Sequence, residues 1–265
     1  LSEHAFTMKT LSDARRLRAH VIERLEHADI TRLPEVKKGA LTFTVIGGGF
    51  SGIETVGEIK ELIDRSLRYY PNINASEIRV VVLEFADRIL NEMPESLAAY
   101  AQNKLNERGI EVQLGVGVAE ATGTQLVTTT GEVIDTRTIV ATIGNTPAPV
   151  VAKMPLTLEQ GRILVRRDFR ADGFENIWAI GDCALIPMTD TASAREDFAP
   201  PTAQFAVREA KHLAQNVVAA LQNQNLKKFH YSSKGSLASL GAGRGVAEVY
   251  GIKLTGRLAW LLWRV

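Results

Sequence analysis

The run Val45-Ile46-Gly47-Gly48-Gly49-Phe50-Ser51-Gly52-Ile53-Glu54 places glycines at the spacing that admits a dinucleotide pyrophosphate. Gly47, followed by Gly48, permits a tight turn out of a strand. Gly49 lets a pyrophosphate approach the backbone, and Gly52 lets the next helix pack close to the sheet. The free N–H groups and positive end of that helix then face the phosphates. An acidic partner for the adenosine ribose belongs at the end of the following strand, and Glu84 closes the run Arg79-Val80-Val81-Val82-Leu83-Glu84. A carboxylate there repels a 2′-phosphate, which favours NAD(H) over NADP(H). Arg88, close by in sequence, pulls the other way.

These residues need a doubly wound scaffold, and the flanking pattern supplies one. Leu41 to Ile46 reads as a buried parallel strand, and Ile53 to Arg68 carries Val56, Ile59, Ile63 and Leu67 at helical spacing. The β-branched run ending at Glu84 is continuous, as in strands buried on both faces. It arrives later than usual because the helix is prolonged through Tyr70 and a loop breaks at Pro71-Asn72. Upstream, Ser12-Asp13 is expected to cap an amphipathic helix through about Ala28, with Leu17, Val21 and Leu25 on one face. Pro34 to Gly39 reads as a polar linker. Downstream, a helix over roughly Ser96–Arg108 is stopped by Gly109. Short strands are then expected at about Glu111–Val118, Gln125–Thr130 and Glu132–Val140, with a hairpin turn at Thr130-Gly131-Glu132.

Bulk properties narrow the class. The chain has 265 residues, 45% hydrophobic and 23% charged, with a formal net charge of +1. It is long enough for two modest domains. That charge balance gives no basic field for nucleic acid. The single Cys183 excludes internal disulfides and a zinc cluster and fits a reducing compartment. No signal peptide or apolar run of spanning length is visible. The chain opens at Leu1, which reads as a loop before a helix and suggests a piece of a longer protein. No nucleophilic triad, paired carboxylates or metal-ligand spacing appears. The histidines His4, His20, His27, His212 and His230 are scattered, and helix-surface or loop positions are expected for them.

A third signal lies in Phe174-Glu175-Asn176-Ile177-Trp178-Ala179-Ile180-Gly181-Asp182-Cys183-Ala184. Apolar residues, then Gly-Asp at a strand end, resemble the second FAD-binding motif of two-dinucleotide-binding flavoproteins. The resemblance implies that Asp182 accepts a hydrogen bond from the ribityl chain of FAD and that Gly181 allows close backbone approach. Ile139-Val140-Ala141-Thr142-Ile143-Gly144 resembles the superfamily's other internal motif, where the chain leaves the NAD domain and returns to the FAD domain.

Within that superfamily the chain resembles the type II NADH dehydrogenases, single-subunit NADH:quinone oxidoreductases. The resemblance runs from His4-Ala5-Phe6 through the fingerprint, whose Glu54 it implies to be a cofactor-binding residue with Gly144, and the Gly-Asp motif. It continues to Pro201-Thr202-Ala203-Gln204-Phe205-Ala206, Gly235-Ser236-Leu237-Ala238-Ser239-Leu240-Gly241 and Ala259-Trp260-Leu261-Leu262-Trp263-Arg264. In the family the Ala-Gln segment lies beside the flavin where the quinone head group binds, which implies that role for Ala203 and Gln204. A second glutamine often follows four residues later, where this chain has Arg208. The first FAD fingerprint and the C-terminal membrane anchor of the family are not within this stretch.

The resemblance implies a glutathione-reductase-like α/β architecture, with a Rossmann-like NAD-binding domain inserted in a partial FAD-binding domain. The expected division is 1–38 as FAD-domain portion and linker, 39–146 as NAD(H) domain, 147–225 as returning FAD domain and 226–265 as the start of a membrane-associating region. The implied cofactors are FAD and NAD(H). The implied activity passes hydride from NADH to FAD and electrons on to a membrane quinone in a respiratory chain, without proton pumping. The implied location is the cytoplasmic face of the membrane, as a peripheral protein. Leu254 to Arg264, with two tryptophans, leucines and flanking arginines, suits an interfacial segment or an ordinary core or dimer-interface helix. Disulfide reductases of the superfamily need a cysteine pair, which this chain lacks, and Cys183 reads as a small buried filler. Two other readings stay open: a soluble FAD-dependent NAD(P)H oxidase or reductase with another acceptor, and a non-enzymatic NAD(H)-binding module.

Overall fold

The computed structural model describes residues 3–144, 147–194 and 197–264. The chain forms two compact units, Leu1–Ile143 with Lys234–Val265, and Gly144–Ser233. The domain boundary expected at residue 146 lies outside the described residues.

The first unit opens with strand β1 (Phe6–Thr7) and helix α1 (Leu11–Ile30). Thr10, not Ser12-Asp13, is the cap. Its hydroxyl accepts from the Asp13 N–H at 3.1 Å while the Asp13 carboxylate accepts from the Thr10 N–H at 2.9 Å. This reciprocal capping box satisfies two orphan donors and sets the start of the helix. Leu17, Val21, Leu25 and Ala28 form its buried face. The expected linker at Pro34–Gly39 is instead a helix, α2 (Pro34–Ala40). Proline at the first helical position has its φ preset and lacks only a donor that would go unused there.

Strand β2 (Thr42–Ile46), helix α3 (Phe50–Ser66) and strand β3 (Arg79–Glu84) follow the expected pattern. Helix α4 spans Glu95–Glu107, and strand β4 is Ile110–Leu114. The strand expected over Glu111–Val118 therefore breaks after Leu114. Gly115 takes a left-handed φ of 68°, and its N–H turns to the Ala86 carbonyl. The chain then enters an antiparallel sheet of β5 (Val118–Ala121), β6 (Gln125–Thr128) and β7 (Val133–Asp135), with Gly131 at a φ of 87° in the hairpin. The strand expected over Glu132–Val140 is likewise two, β7 and β8 (Thr138–Ala141). The break is at Thr136, whose hydroxyl donates to the Thr42 carbonyl at 2.8 Å and diverts the chain from one sheet to the other.

The main sheet has the order β1-β8-β2-β3-β4, and every neighbouring pair is parallel. All five residues of β2 are buried, as a strand covered on both faces requires. Its core joins Phe43 and Val45 to Ile53, Val56 and Ile63 of α3 and to Leu25 of α1.

The second unit is built on β9 (Leu158–Glu159), β10 (Arg162–Leu164), β11 (Ala184–Leu185) and helix α5 (Ala203–Leu221). Phe169, Ile163, Phe205 and Phe229 lie in its core. The segment before Gly181, expected as a strand, is not one. Its strand-type pairing is limited to a single bridge from Trp178 to Arg170, across a tight turn that contains Gly173 with a φ of 80°.

The chain returns to the first unit as an antiparallel sheet of β12 (Gly235–Ser239), β13 (Gly245–Val249) and β14 (Ile252–Thr255), closed by helix α6 (Gly256–Arg264). The single segment expected at Leu254–Arg264 is thus the end of a strand and a nine-residue helix. Backbone of the turn between β12 and β13 lies against α3 so closely that a Cβ on Gly57 would meet the Leu240 carbonyl carbon at 2.9 Å.

Candidate functional site

The glycine turn sits where the C-terminal ends of β2 and β8 meet the N-terminus of α3. Gly47 has a φ of 105°, a left-handed conformation open to glycine. A Cβ added there would meet the Thr142 hydroxyl at 2.8 Å. That hydroxyl donates to the Ile46 carbonyl at 2.8 Å and braces the turn from β8. A Cβ on Gly48 would meet Ile89 at 2.8 Å, and one on Gly52 would run into the Gly47 carbonyl oxygen. Gly49 is different: it is exposed, and apart from the adjoining backbone no heavy atom lies within 4 Å of where its Cβ would be. The protein thus fills the space around three glycines and leaves the fourth facing open space at the start of a 17-residue helix. This fits a pyrophosphate, which needs close backbone approach and the unpaired donors of a helix N-terminus.

Glu84 closes the turn. Its carboxylate accepts from the Gly48 N–H and, at 2.8 Å, from the Ala86 N–H. The structure therefore brings the acidic residue and the glycines of the fingerprint into direct contact. Each carboxylate oxygen retains a second lone pair, which suits it to accept from a ribose hydroxyl as well.

Glu54, on the first turns of α3, has a carboxylate oxygen that accepts from the Ser239 N–H at 3.2 Å and the Trp263 Nε1–H at 2.6 Å. Burial pushes its pKa up, and those two donors partly offset the push. Gly144, with a φ of 81°, lies just past β8.

In the second unit, Gly181 has a φ of 68° and starts a single 3-10 turn, Gly181–Cys183, on which Asp182 is exposed. The Gly181 N–H donates to Glu209 Oε2 at 2.8 Å. Glu209 is only 2% exposed, and burial, with Asp182 nearby, raises its carboxyl pKa. Asp182 on a turn whose glycine lacks a Cβ fits a hydrogen-bond acceptor for a cofactor hydroxyl, with backbone approach beside it. Cys183, expected to be buried, is half-buried, its thiol donating to the Ile180 carbonyl at 3.2 Å.

Thr202 caps α5, its hydroxyl accepting from the Phe205 N–H at 3.4 Å. Ala203 is exposed, Gln204 is half-buried, and Gln204 Oε1 accepts from the Tyr231 hydroxyl at 2.7 Å. Arg208 lies over the Tyr231 ring, 5.5 Å from its centroid. Glu209 and Tyr231 escaped sequence reasoning. Glu209 had a usable signal, a carboxylate five residues beyond Gln204 on the same helix.

Among the described residues, no group of three or more His, Cys, Asp or Glu could hold a metal, and no helix is long and apolar enough to cross a membrane. The histidines are not all on the surface: half-buried His20 approaches the Arg137 carbonyl at 3.0 Å.

The chain is 28% identical over 269 residues to a type II NADH:quinone oxidoreductase of Staphylococcus saprophyticus, covering 100% of this chain and 65% of that protein. It is 30% identical over 277 residues to the type II NADH:quinone oxidoreductase Ndh of Mycobacterium tuberculosis, covering 100% of this chain and 58% of that protein. The chain thus spans about three-fifths of the length of these curated relatives. The fold matches NDH2 from Plasmodium falciparum, solved in complex with NADH, with a TM-score of 0.88 at 19% identity over 99% of this chain and 69% of that one. The profile of the family described as pyridine nucleotide-disulphide oxidoreductase matches residues 2–210. With that match over most of its length, the chain belongs to the pyridine nucleotide-disulphide oxidoreductase family.

Proposed function

We propose that this chain is the nicotinamide-binding part, with a portion of the flavin-binding part, of an NADH:quinone oxidoreductase of type II. The observation that carries the reading is the open face of Gly49 at the head of α3, bounded by the Gly47–Gly52 contact and by Glu84. Residues 39–146 would hold NAD(H), with Gly47, Gly48, Gly49 and Gly52 around the pyrophosphate and Glu84 at the adenosine ribose. Residues 147–225 would belong to the FAD domain, whereas β1 and α1 lie in the sheet and core of the first unit, so residues 3–38 go with the NAD(H) part and not, as expected, with the FAD domain. There Gly144 marks the crossing, Gly181 admits the flavin's ribityl chain, and Asp182 accepts from it. FAD, when bound, supplies the two-electron chemistry that lets nicotinamide and quinone react without meeting.

The protein's part is binding and orientation. Helix α3 directs its N–H groups at the pyrophosphate, and Glu84 selects against a 2′-phosphate. The Gln204 amide, at the head of α5, is suited to hydrogen-bond a quinone carbonyl beside Ala203. Helix α6 exposes Leu258, Leu261 and Leu262 between Arg257 and Arg264, a composition suited to an anionic membrane surface where quinone dissolves. The cytoplasmic leaflet, with its anionic lipids, fits that pattern. The same face could instead meet a second copy of the chain.

The test is anaerobic. The full-length, FAD-loaded protein is mixed with NADH or NADPH while flavin absorbance is followed, and a short-chain quinone is then added. Fast bleaching by NADH, slow bleaching by NADPH and prompt recovery on quinone support the proposal. Bleaching without recovery moves the acceptor away from quinone, and absence of flavin reduces the chain to a nucleotide-binding module.

A further inference from the structure

We infer that Phe85 is the stacking surface for the adenine ring of the bound dinucleotide, an inference that rests on the reading of Glu84 as the acceptor for the adenosine ribose. Adenine is joined directly to that ribose. Where the ribose hydroxyls meet the Glu84 carboxylate, the base must therefore lie over the residues that flank it, and Phe85 is the next residue. A purine offers two flat faces, which an aromatic side chain can cover without a hydrogen bond.

Burial sets this phenylalanine apart from the others. The sequence has nine, and eight of them are buried or half-buried, whereas Phe85 is 78% exposed. Its backbone is nevertheless tied down on both sides. The Val116 N–H donates to the Glu84 carbonyl at 3.0 Å and the Gly115 N–H to the Ala86 carbonyl at 2.9 Å, so Phe85 is bracketed by two backbone bonds. The Leu90 N–H donates to the Gly48 carbonyl at 2.8 Å, which ties the same loop to the glycine turn, and Ile89 and Leu90 are buried. Arg88, the cation of this loop, is engaged by Asn91, donating to its Oδ1 at 2.9 Å and to its carbonyl at 2.8 Å. The Phe85 ring is thus an apolar surface carried on a fixed frame and left open to water beside the ribose acceptor.

The strip next to the ring is made of backbone. Gly115 and Gly117 carry no side chain, and apart from the adjoining backbone no heavy atom lies within 4 Å of where a Cβ on Gly115 would be. Val116, between them, packs against the buried cluster that holds Leu83 and Leu126. A Cβ on Gly117 would meet Phe85 Cδ2 at 3.3 Å and Thr129 Cγ2 at 3.0 Å, so a side chain there would push the ring or the threonine aside. Gly117 is itself held, its N–H donating to the Thr129 hydroxyl at 2.9 Å and its carbonyl accepting from the Thr129 N–H at 2.9 Å. A flat base can approach Phe85 along this strip without meeting a side chain from either glycine. On arrival it takes exposed ring surface out of water, which adds burial to stacking.

The experiment uses the FAD-loaded full-length protein with F85A, F85Y and Gly49→Ala. The readouts are the equilibrium Kd for NAD+ and for ADP-ribose, the sedimentation coefficient, and the rates of flavin reduction by NADH and by reduced nicotinamide mononucleotide, which lacks the adenosine. F85A is expected to raise both Kd values about five- to thirtyfold, the usual loss when an aromatic stacked on a base is truncated, and F85Y, which keeps the ring, by less than about threefold. Flavin reduction by reduced nicotinamide mononucleotide should be the same in F85A as in the parent. If Gly49→Ala weakens ADP-ribose and F85A does not, stacking is wrong while the dinucleotide site stands. If neither weakens it, the reading of the glycine turn and Glu84 fails and this inference with it. A shift in sedimentation by F85A at unchanged affinity would give the ring to a contact between chains and overturn stacking. Equal losses in F85A and F85Y would overturn it too, as would an equal loss with the mononucleotide, which would mark F85A as generally damaged.

Discussion

Gly52 packs against the Gly47 carbonyl oxygen, leaving no room between them for even a methyl group. Gly49, three residues before Gly52, has no neighbour apart from the adjoining backbone within 4 Å of its Cβ position and a φ of −72° that any residue adopts. The two glycines of one fingerprint should therefore fail in opposite ways. Gly52→Ala forces backbone apart and should destabilise the protein by about 3 kcal/mol or more. Gly49→Ala should leave thermal stability within about 1 kcal/mol of the parent but weaken NADH at least about tenfold, because the methyl occupies the pyrophosphate's path. Paired denaturation curves and NADH titrations test this. Equal stability losses in both variants would remove the argument that Gly49 faces ligand.

The contact of Glu84 with two backbone N–H groups gives a second expectation. Glu84→Gln can satisfy only one of them with its single oxygen and turns an NH2 group on the other. A stability loss of about 1 kcal/mol is expected. Removal of the charge should also narrow the preference for NADH over NADPH. The ratio of the two Kd values measures this, and an unchanged ratio would take Glu84 out of ribose recognition.

Much of this site was legible because its determinants are local. The glycine spacing, the β-branched run ending at Glu84 and the amphipathic period of α3 each reside within a few residues, and β3 spans the residues that its pattern marked. What was hidden depends on distant partners. Thr136 splits a strand by bonding Thr42, 94 positions away. Tyr231 reaches Gln204 from 27 positions away and Glu209 reaches Gly181 from 28. The extended run before Gly181 has strand-like composition, yet a strand also needs a neighbour, and periodicity says nothing about whether one is present. The opening of α1 differs from the expectation for a smaller reason: both Thr10 and Ser12 are cap formers, and only the reciprocal bond with Asp13 tells them apart.

Burial raises the carboxyl pKa of Glu54, so the folded state holds a proton that the unfolded chain releases near the ordinary value of 4.5. Its contribution is therefore most favourable below that value and declines as pH rises toward the raised one. Trp263→Phe removes a donor that stabilises the charged form. The variant should be less stable by about 1 kcal/mol at neutral pH and nearly equal to the parent in acid, where the carboxyl is neutral in both. Urea denaturation at pH 4 and pH 7.5 makes the comparison. A deficit of the same size at both would show that lost packing, not the hydrogen bond to Glu54, is responsible.

His20 gives a pH dependence of opposite sign. It sits on α1 with its ring 4.6 Å from that of Phe6 and its Nε2 3.0 Å from both the Arg137 carbonyl and the Thr138 hydroxyl. Burial lowers its pKa below the ordinary 6.5, and the Arg24 charge lowers it further, against smaller upward pushes from the Arg137 carbonyl and Glu23. In the window between the lowered value and 6.5 the unfolded chain binds a proton that the folded chain does not, so stability rises with pH across that window. The full contribution is present above 6.5 and is lost as pH falls through the window toward the folded value. His20→Gln keeps an amide that can donate to the Arg137 carbonyl but cannot titrate. Its stability should follow the parent's above pH 7 and fall less steeply than the parent's in mild acid. Parallel curves throughout would mean that His20 titrates alike in both states and that α1 is not held by its neutral form.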